Sequence, residues 1–533
     1  MTTHPELALE QAYLDRAYAH LGRMRERTKQ AASITESAAQ AVDSAIARAH
    51  LNARLRTLDT EVDGLSFGRL DAEEGDTWYV GRRHVEDERG DPVVIDWRAP
   101  ISTPFYRATA ADPMELRRRR RFVMTARQVD DLFDEVFDDP DSVDAAHHGG
   151  IPDPLLAELE RSRTGEMRDI VATIAAEQDV VIRAPIDTCL VVQGGPGTGK
   201  TAVGLHRAAF LLFEHREQLD KEGVLVVGPN PLFLRYIAQV LPSLGEAATR
   251  QTTVERLVGG RVARPDEPDV ARLKGDARMS AVLAAAARQL LKVPTDDLGV
   301  RTAWGPLRIS AAGLAEAVDE ITARGVPFAV GRNAFRTRAR RLAWLGHPDS
   351  KWDDAAPSAA FDAEMRTNAE LNAAVAKIWP SLSAPVLVKR VLTNKRALAL
   401  ASDGILDASE QALLVRKAGA RRLDDEPWTL AELVLVDEAE ALLNGVGRTY
   451  GHAVVDEAQD LSAMELRAVA RRCPSRSMTV LGDLAQATAP GAQSSWDDAV
   501  VHLGSPAHAS IEELELGYRV PRPILDVANR LLP

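Results

Sequence analysis

One glycine-rich stretch carries the residue types and spacing that phosphate binding needs. A valine-rich run precedes it, and an amphipathic stretch through Phe213 follows it. A strand before such a loop and a helix after it form the context of a phosphate-binding loop. Its glycines let successive backbone N–H groups turn inward, and the helix N-terminus adds partial positive charge. The stretch reads Gly194-Gly195-Pro196-Gly197-Thr198-Gly199-Lys200-Thr201.

Two side chains of this loop have separate predicted tasks. Lys200 can reach the β- and γ-phosphates, and the Thr201 hydroxyl can ligate Mg²⁺. The loop alone leaves ATP and GTP open as ligands, and the motifs around it favour ATP with Mg²⁺. The predicted nucleotide contacts in the loop and at the start of its helix are Gly195, Pro196, Gly197, Thr198, Gly199, Lys200, Thr201 and Ala202.

A carboxylate must hold the metal and position water, and the sequence offers two Asp-Glu pairs. Asp437-Glu438 lies in an apolar run with helical spacing, so we expect a helix there. Asp456-Glu457 follows a valine-rich run and continues into Gln459-Asp460. The second pair is therefore favoured. Asp456 would hold Mg²⁺ directly or through water, and Glu457 would orient or deprotonate the attacking water.

Three further elements surround the loop in the chain. Gln178 precedes it, Gln486 follows another strand-like run, and Tyr518-Arg519 adds an aromatic ring and a cation. Each alone could be a solvated polar residue. Their order around the loop favours one nucleotide site, in which Glu457 and Lys200 would be catalytic. A resemblance to helicase-type ATPases implies catalytic roles for Gln486 and Arg519 as well.

The bulk numbers limit the class of protein. A chain of 533 residues is too long for one core, so three or four domains are expected. The net charge of −13 argues against a protein that relies mainly on nucleic-acid phosphates and leaves room for a protein partner. The isolated Cys189 and Cys473 suggest neither disulfides nor zinc, which fits a cytoplasmic protein. Neither a membrane span nor a homo-oligomer is expected.

The N-terminal region divides into helical and β-rich parts. Leu7, Leu14 and Leu21 begin a narrow apolar seam that predicts two helices over residues 5–62. Such a pair could pack on its own body or project as an arm towards a partner, and the sequence does not separate these alternatives. Residues 64–110 contain short strand-like runs divided by turns, which predict a small β-rich module.

Two charged runs follow this module. Arg117 to Arg121 is predicted to be a solvated face, with phosphate contact as the less favoured alternative. Residues 130–144 are strongly acidic and are predicted to form a solvated helix end and linker.

From residue 151 strands and helices alternate. Four short valine-rich runs at 189–192, 224–227, 453–455 and 478–481 are typical of buried parallel strands. The predicted fold is α/β, a P-loop domain with helices on both faces of a parallel sheet, and the order of its motifs resembles that of a RecA-like domain. The predicted segments are the helical arm (1–62), the β-rich module with its linker (63–150), the first part of the RecA-like domain (151–246), an inserted helical domain (247–430) and the second part (431–533).

The set of motifs resembles superfamily 1 helicases of the UvrD/Rep type. Gln178 matches the adenine-reading glutamine, and Gly482-Asp483 with Gln486 matches the motif that senses the γ-phosphate. Tyr518-Arg519 matches the pair that stacks on adenine and contacts the γ-phosphate. Val227-Gly228-Pro229-Asn230 is similar to a strand-end motif that contacts nucleic acid.

A closer resemblance is to the HelD family of helicase-like factors that bind bacterial RNA polymerase. It is carried by residues 192–207 around the loop, by residues 450–462 around Asp456-Glu457, and by Ile95-Asp96-Trp97-Arg98-Ala99-Pro100 with Phe105 to Thr109. The resemblance implies an arm that enters the polymerase secondary channel, an inserted domain that opens the clamp, and ATP turnover that drives release. DNA or RNA displaced from the polymerase is a further implied contact. Some actinobacterial relatives rescue polymerase from rifamycins, and only the resemblance, not any residue pattern, extends that role to this chain.

Two departures from the family pattern affect these expectations. The sequence ends shortly after Tyr518-Arg519, so we expect the second RecA-like domain to be missing and turnover by the chain alone to be in doubt. The short stretch Asn444 to Thr449 stands where some relatives carry a long insertion. The competing hypotheses are a DNA-translocating repair helicase and a nucleotide-gated binding protein with negligible turnover.

Overall fold

The computed structural model describes residues 4–37, 51, 55, 64–137, 171–237, 249–347, 357–417, 419–505 and 507–514. Within these ranges the chain is a mixed α/β protein with two six-stranded sheets. No helix among them is both long and apolar enough to cross a membrane.

The N-terminal module combines one long helix with a mostly antiparallel sheet. Its strands lie in the order β3-β4-β2-β1-β5-β6, and only β2 and β4 are parallel neighbours. The elements are α1 (Leu7–Ser37), β1 (Ser66–Ala72), β2 (Thr77–Gly81), β3 (Val85–Glu86), β4 (Pro92–Asp96), α2 (Thr103–Arg107), β5 (Leu116–Thr125) and β6 (Gln128–Val136).

Helix α1 packs on this sheet. Its buried stripe of Leu14, Ala17, Leu21 and Met24 follows three-and-four spacing, which places the side chains on one helix face. They join two small cores with sheet residues. This part of the predicted arm therefore packs on its own body. The second predicted helix lies outside the described residues, apart from positions 51 and 55.

The prediction that both charged runs are solvated is only partly correct: Arg117, Asp130 and Asp131 are exposed, but Arg119 and Arg120 are buried. Arg117 to Arg121 lie in β5, and residues 130–136 lie in the partner strand β6 rather than in a helix end. Arg119 is opposite Glu135 and Arg120 is opposite Asp134. Opposite charges satisfy each other across an antiparallel pair, so Arg120 can be fully buried. The rest of the acidic run, from residue 138, lies outside the described residues.

The next segment begins a parallel sheet. Cys189–Gly194 and Val224–Val227 form strands where the valine-rich runs predicted them. The elements are α3 (Ala176–Ile182), β7 (Cys189–Gly194), α4 (Lys200–Glu214), α5 (Arg216–Glu222), β8 (Val224–Val227), α6 (Pro231–Ile237) and β9 (Thr249–Thr252).

A mostly helical stretch then interrupts the sheet and falls into two packing groups. Residues 298–379 bury a core of their own, which includes Phe335 and Trp379. The helices on either side of them share a core with Leu225 and Val227 of the sheet. The elements are α7 (Val254–Val258), α8 (Pro268–Lys274), α9 (Arg278–Arg288), β10 (Leu298–Thr302), β11 (Gly305–Ile309), α10 (Ala311–Ala323), α11 (Phe328–Leu345), α12 (Ala359–Thr367), α13 (Ala369–Ile378), α14 (Ala384–Thr393), α15 (Lys395–Ala401) and α16 (Ala408–Leu414).

The last segment completes the parallel sheet, whose order is β14-β7-β13-β12-β8-β9. The strands predicted at 453–455 and 478–481 are present, and β14 was not predicted. Both cysteines are buried and free. The elements are α17 (Leu430–Asn444), β12 (His452–Val455), α18 (Ala463–Arg472), β13 (Met478–Gly482), α19 (Trp496–Leu503) and β14 (Ala509–Leu514).

The sheet has different cover on its two faces. Cys189 and Val191 join the core shared with the helical stretch. Leu190 and Val192 join the core that holds α4 and the N-terminal module, including Trp97. Successive residues of β7 therefore pack into different cores on the two faces of the sheet, and both cores hold the strand that leads into the loop.

Candidate nucleotide site

The glycine-rich loop connects β7 to α4, as its sequence predicts. Gly197 and Gly199 have φ angles of 82° and 83°, which only glycine adopts without strain. Helix α4 begins at Lys200 and runs for 15 residues, so its N-terminus opens onto the loop. Within the loop Pro196 is exposed, and Ala202 just after it is buried. The Thr198 hydroxyl closes the turn by donating to the Gly195 carbonyl at 3.0 Å.

Lys200 folds back onto this loop. Its Nζ donates to the carbonyls of Gly194 and, at 3.2 Å, Gly195. Both partners are neutral, so the positive charge is held in place without being neutralised. The amine can exchange these carbonyls for phosphate oxygens, which form stronger charge-assisted hydrogen bonds.

The two predicted metal ligands lie side by side. Thr201 Oγ1 donates to Asp456 Oδ2 at 2.7 Å. Burial raises the pKa of Asp456 to about 6, and the Thr201 hydrogen bond only partly opposes that rise. Magnesium prefers oxygen ligands and commonly takes few from the protein, so this pair fits Mg²⁺. In the described ranges no cluster of three or more His, Cys, Asp or Glu side chains could hold a metal.

Glu457 follows with an unusual backbone. Its φ of 53° places a non-glycine residue in the left-handed region, a conformation that recurs at functional sites. Its backbone N–H donates to Asp456 Oδ1 at 3.0 Å. Gln459 Nε2 donates to Glu457 Oε2 at 2.8 Å and so orients the carboxylate. Glu457, the predicted base, is therefore held by hydrogen bonds at its backbone and at its carboxylate, next to the predicted metal ligand Asp456.

A glutamine–aspartate network joins the ends of three strands. Gln459 Oε1 accepts the backbone N–H of Asp483 at 3.1 Å. Asp483 accepts Gln486 Nε2 at 2.6 Å and Gln193 Nε2 at 2.8 Å. Trp496 Nε1 donates to Gln193 Oε1 at 2.8 Å. The predicted Gln486 thus reaches the loop through Asp483 and Gln193.

Sequence reasoning missed the roles of Gln193 and Trp496. A polar residue at the end of a buried strand, directly before the glycines, could have marked Gln193. Trp496 begins α19, and no motif pointed to it.

Gln178 lies against the loop and is 2% exposed. Its Nε2 donates to the Thr198 carbonyl at 3.1 Å, and its Oε1 accepts the Ala175 N–H at 3.2 Å. A glutamine amide has two donor and two acceptor positions, so these bonds occupy half of them. Asn or Gln amides pair with N6 and N7 of adenine, which leaves the predicted adenine contact open to Gln178.

The other Asp-Glu pair is structural. It lies in α17, which begins with a capping box at Thr429 and therefore is a helix as predicted. Asp437 pairs with Arg471 and Arg472, and Glu438 pairs with Arg467 and Arg471. These carboxylates are neutralised by arginines, and neither is in contact with the loop.

Two further motifs were predicted to contact nucleotide or nucleic acid. Tyr518 and Arg519 lie outside the described residues. The strand-end motif of Val227 to Asn230 begins at the last residue of β8, whose carbonyl accepts the Asp456 N–H at 2.9 Å. Asn230 Oδ1 accepts the Phe233 N–H at 2.9 Å, which caps α6.

Comparison with known proteins addresses the N-terminal module. Residues 7–148 match the family model described as DNA helicase IV HelD, N-terminal domain. No curated protein matches the chain. The match spans α1 and the β-rich sheet and stops before the glycine-rich loop. Over those residues, the chain is similar to the N-terminal domain of HelD.

Proposed function

We propose that this chain is an ATP-dependent RNA polymerase-binding factor of the HelD type. It would insert its N-terminal arm into the core enzyme, open it, and promote its release from nucleic acid and recycling. The observation that supports it is that one chain joins a module matching the HelD N-terminal domain to a glycine-rich loop, and that Thr201 of this loop contacts Asp456, next to Glu457.

In this proposal the parallel sheet and its helices form a RecA-like domain that binds ATP. The loop N–H groups and Lys200 would bind the phosphates, and Thr201 with Asp456 would hold Mg²⁺. That ion, when bound, neutralises charge on the β- and γ-phosphate oxygens. Glu457, oriented by Gln459, would take the proton of the attacking water.

The polymerase half rests on the family match over residues 7–148. An acidic chain is suited to protein surfaces more than to bare nucleic acid. The inserted helices, with the separate core of residues 298–379, would supply the part that opens the clamp.

The nucleotide claim is tested by calorimetric titration of Mg-ATP. Lys200→Ala should weaken binding about 100-fold, since it removes a charge-assisted contact to phosphate. Lys221→Ala, at an exposed position of α5, is the matched control and should bind as the parent does. Equal affinity of the Lys200 variant and the parent would reject the nucleotide assignment.

The partner claim is tested by a pull-down on core RNA polymerase, with and without DNA. Binding that persists without DNA supports the proposal. Failure to bind the core enzyme, together with tracking on single-stranded DNA and a steep salt dependence, would favour a DNA-translocating repair helicase instead. Repeating the pull-down with rifampicin-bound polymerase, and measuring drug release, tests the extension to rifamycins.

A further inference from the structure

We propose that Arg107 of the N-terminal module positions the glycine-rich loop, acting through Asp179 and Gln178 of α3. The inference rests on the proposed nucleotide site and names a route by which the N-terminal module would regulate it. None of the residues in the route other than Gln178 belongs to the predicted site.

The route begins with an ion pair between the module and α3. Arg107, at the end of α2, donates from Nε to Asp179 Oδ2 at 2.5 Å and from Nη2 to the Asp179 carbonyl at 3.2 Å. The Asp179 side chain is fully buried, whereas that of Arg107 is 31% exposed. A buried carboxylate that loses a partner is costly, so this contact fixes where α3 lies.

A second arginine ties α3 to the same module. Arg183 Nε donates to Asp179 Oδ1 at 2.8 Å. Its two terminal nitrogens donate to the carbonyls of Trp97 and Arg98 at 2.6 and 3.0 Å. These carbonyls belong to the turn after β4, in the run that carries the HelD resemblance. Asp179 is thus held by one arginine from each side of the interface.

The other side of α3 contacts the nucleotide elements. Gln178, next to Asp179, donates to the Thr198 carbonyl inside the loop. At the C-terminal end of α3, the buried Arg207 of α4 donates to the carbonyls of Val181 and Ile182 at 3.1 and 3.2 Å. Carbonyls at a helix end need such donors.

Helix α3 has only seven residues, too few for a helix to be stable by itself. Its position is therefore set by its contacts: Arg107 and the carbonyls of Trp97 and Arg98 of the module on one side, and the loop with α4 on the other. A displacement of the module would move Asp179, and with it the glutamine that holds the Thr198 carbonyl. This makes the loop responsive to whatever engages the N-terminal module.

The first test needs no nucleotide. Hydrogen exchange of the full chain is followed in peptides that cover residues 194–202. Arg107→Leu should speed exchange there severalfold, because the loop loses a support. Arg107→Lys, which keeps a cation beside Asp179, should restore part of the protection. Unchanged loop exchange in Arg107→Leu would overturn the proposal, whether or not the protein binds ATP.

Arg467→Leu is the matched control. Arg467 pairs with Glu438 at 2.7 Å, is 36% exposed, and joins α17 to α18, neither of which carries a predicted site residue. It should leave loop exchange unchanged. A similar rise in both variants would mean general loosening and would also overturn the proposal.

The second test is a double-mutant cycle on Mg-ATP affinity. Arg107→Leu should weaken binding about tenfold, the effect of losing about 1.4 kcal/mol. If Arg107 acts through Gln178, the double variant with Gln178→Ala should bind about as weakly as Gln178→Ala alone. Fully additive losses would refute that route. Absence of ATP binding by the parent protein would instead refute the proposed function and leave the exchange result to decide this inference.

Discussion

The arginine strand β5 and the nucleotide loop use charge in opposite ways. Arg120 is fully buried, yet its nitrogens donate to Asp134 at 2.6 and 2.7 Å and to Glu6 and Glu10, both at 2.5 Å. In the loop, Lys200 has only carbonyl partners. No ion pair to Lys200 or Asp456 occurs in the part of the chain that the structure describes.

This difference in charge pairing shifts the pKa values of two buried aspartates in opposite directions. Burial tends to raise the pKa of Asp71 in β1, but hydrogen bonds from Arg69 and Arg118 outweigh it, and the pKa lies below its ordinary value. Burial raises the pKa of Asp456 to about 6, because the Thr201 hydroxyl, the Glu457 N–H and the charge of Lys200 oppose that rise only in part and no arginine pairs with this carboxylate in the described ranges. The module neutralises its charges internally, whereas the loop keeps its charges for a ligand.

The largest expected effect is on the stability of the N-terminal module, whose buried charges are paired. Arg120→Leu removes one of the two arginines that pair with the buried Glu10, together with the partner of Asp134, and should destabilise the N-terminal module by about 3 kcal/mol. Because a chain with several cores need not unfold in one step, the measurement is hydrogen exchange in peptides of residues 116–136 under increasing denaturant. Arg23→Leu, which removes the exposed pair with Glu88, should cost under about 1 kcal/mol. Equal effects would make the buried cluster no stronger than a surface pair.

The second prediction separates the two Asp-Glu pairs. Glu457→Gln should retain ATP binding and lose hydrolysis about 100-fold, since it removes the proposed base. Glu438→Gln should hydrolyse as the parent does, because its carboxylate serves Arg467 and Arg471. Phosphate release with core polymerase present is the measurement. Loss of turnover in the Glu438 variant alone would reverse the assignment.

The third prediction follows the pKa of Asp456. A raised folded pKa means that protonation stabilises the fold; this contribution is fully present below the ordinary value of 3.8 and is lost as pH rises through about 6. Magnesium needs the ionised carboxylate. Below pH 6, each pH unit should therefore weaken Mg²⁺-dependent ATP binding about tenfold.

Asp456→Asn is the control for this titration, since it should bind Mg-ATP more weakly than the parent at neutral pH and lack the dependence specific to Asp456. The pKa values of Glu6 and Asp71 are lowered, so their stabilising contributions are present above their ordinary pKa values and are lost only as pH falls through the lowered values. The N-terminal cluster should thus stay intact at pH 5 while ATP binding weakens. Parallel loss of both would contradict the comparison.

The smallest expected effect concerns Arg83, another buried arginine of the N-terminal module. Arg83 is 7% exposed, and its guanidinium nitrogens have no hydrogen-bond partner in the described ranges. Burial, with added repulsion from Arg98, lowers its pKa to about 10. Arg83→Met should stabilise the module by about 1 kcal/mol. The exposed Arg89→Met should change stability by less than about 0.5 kcal/mol, with both variants measured by hydrogen exchange of module peptides under increasing denaturant.

The sequence predicted the parallel strands and the loop because their signals are local. Continuous valine runs such as 224–227 indicate burial on both faces, and glycines at fixed spacing need a particular backbone. Strands β5 and β6 were not predicted from the sequence, because their charged residues were taken to be exposed to solvent. The feature that could have identified these strands is a basic run and an acidic run of similar length on either side of a short Ala126-Arg127 turn. The contacts of Arg107 with α3 could not be predicted, since they join residues 72 positions apart.

The hairpin of β5 and β6 also bears on how the chain folds. A slip by two residues in this pairing would place Arg120 opposite Leu132 or Val136 in place of Asp134. The alternation of apolar faces alone would tolerate such a slip, because side chains keep their faces when a strand shifts by two. The charges do not tolerate it, since buried guanidinium groups would lose their carboxylates. The arginine run therefore selects the correct strand alignment during folding, and misaligned hairpins should be short-lived.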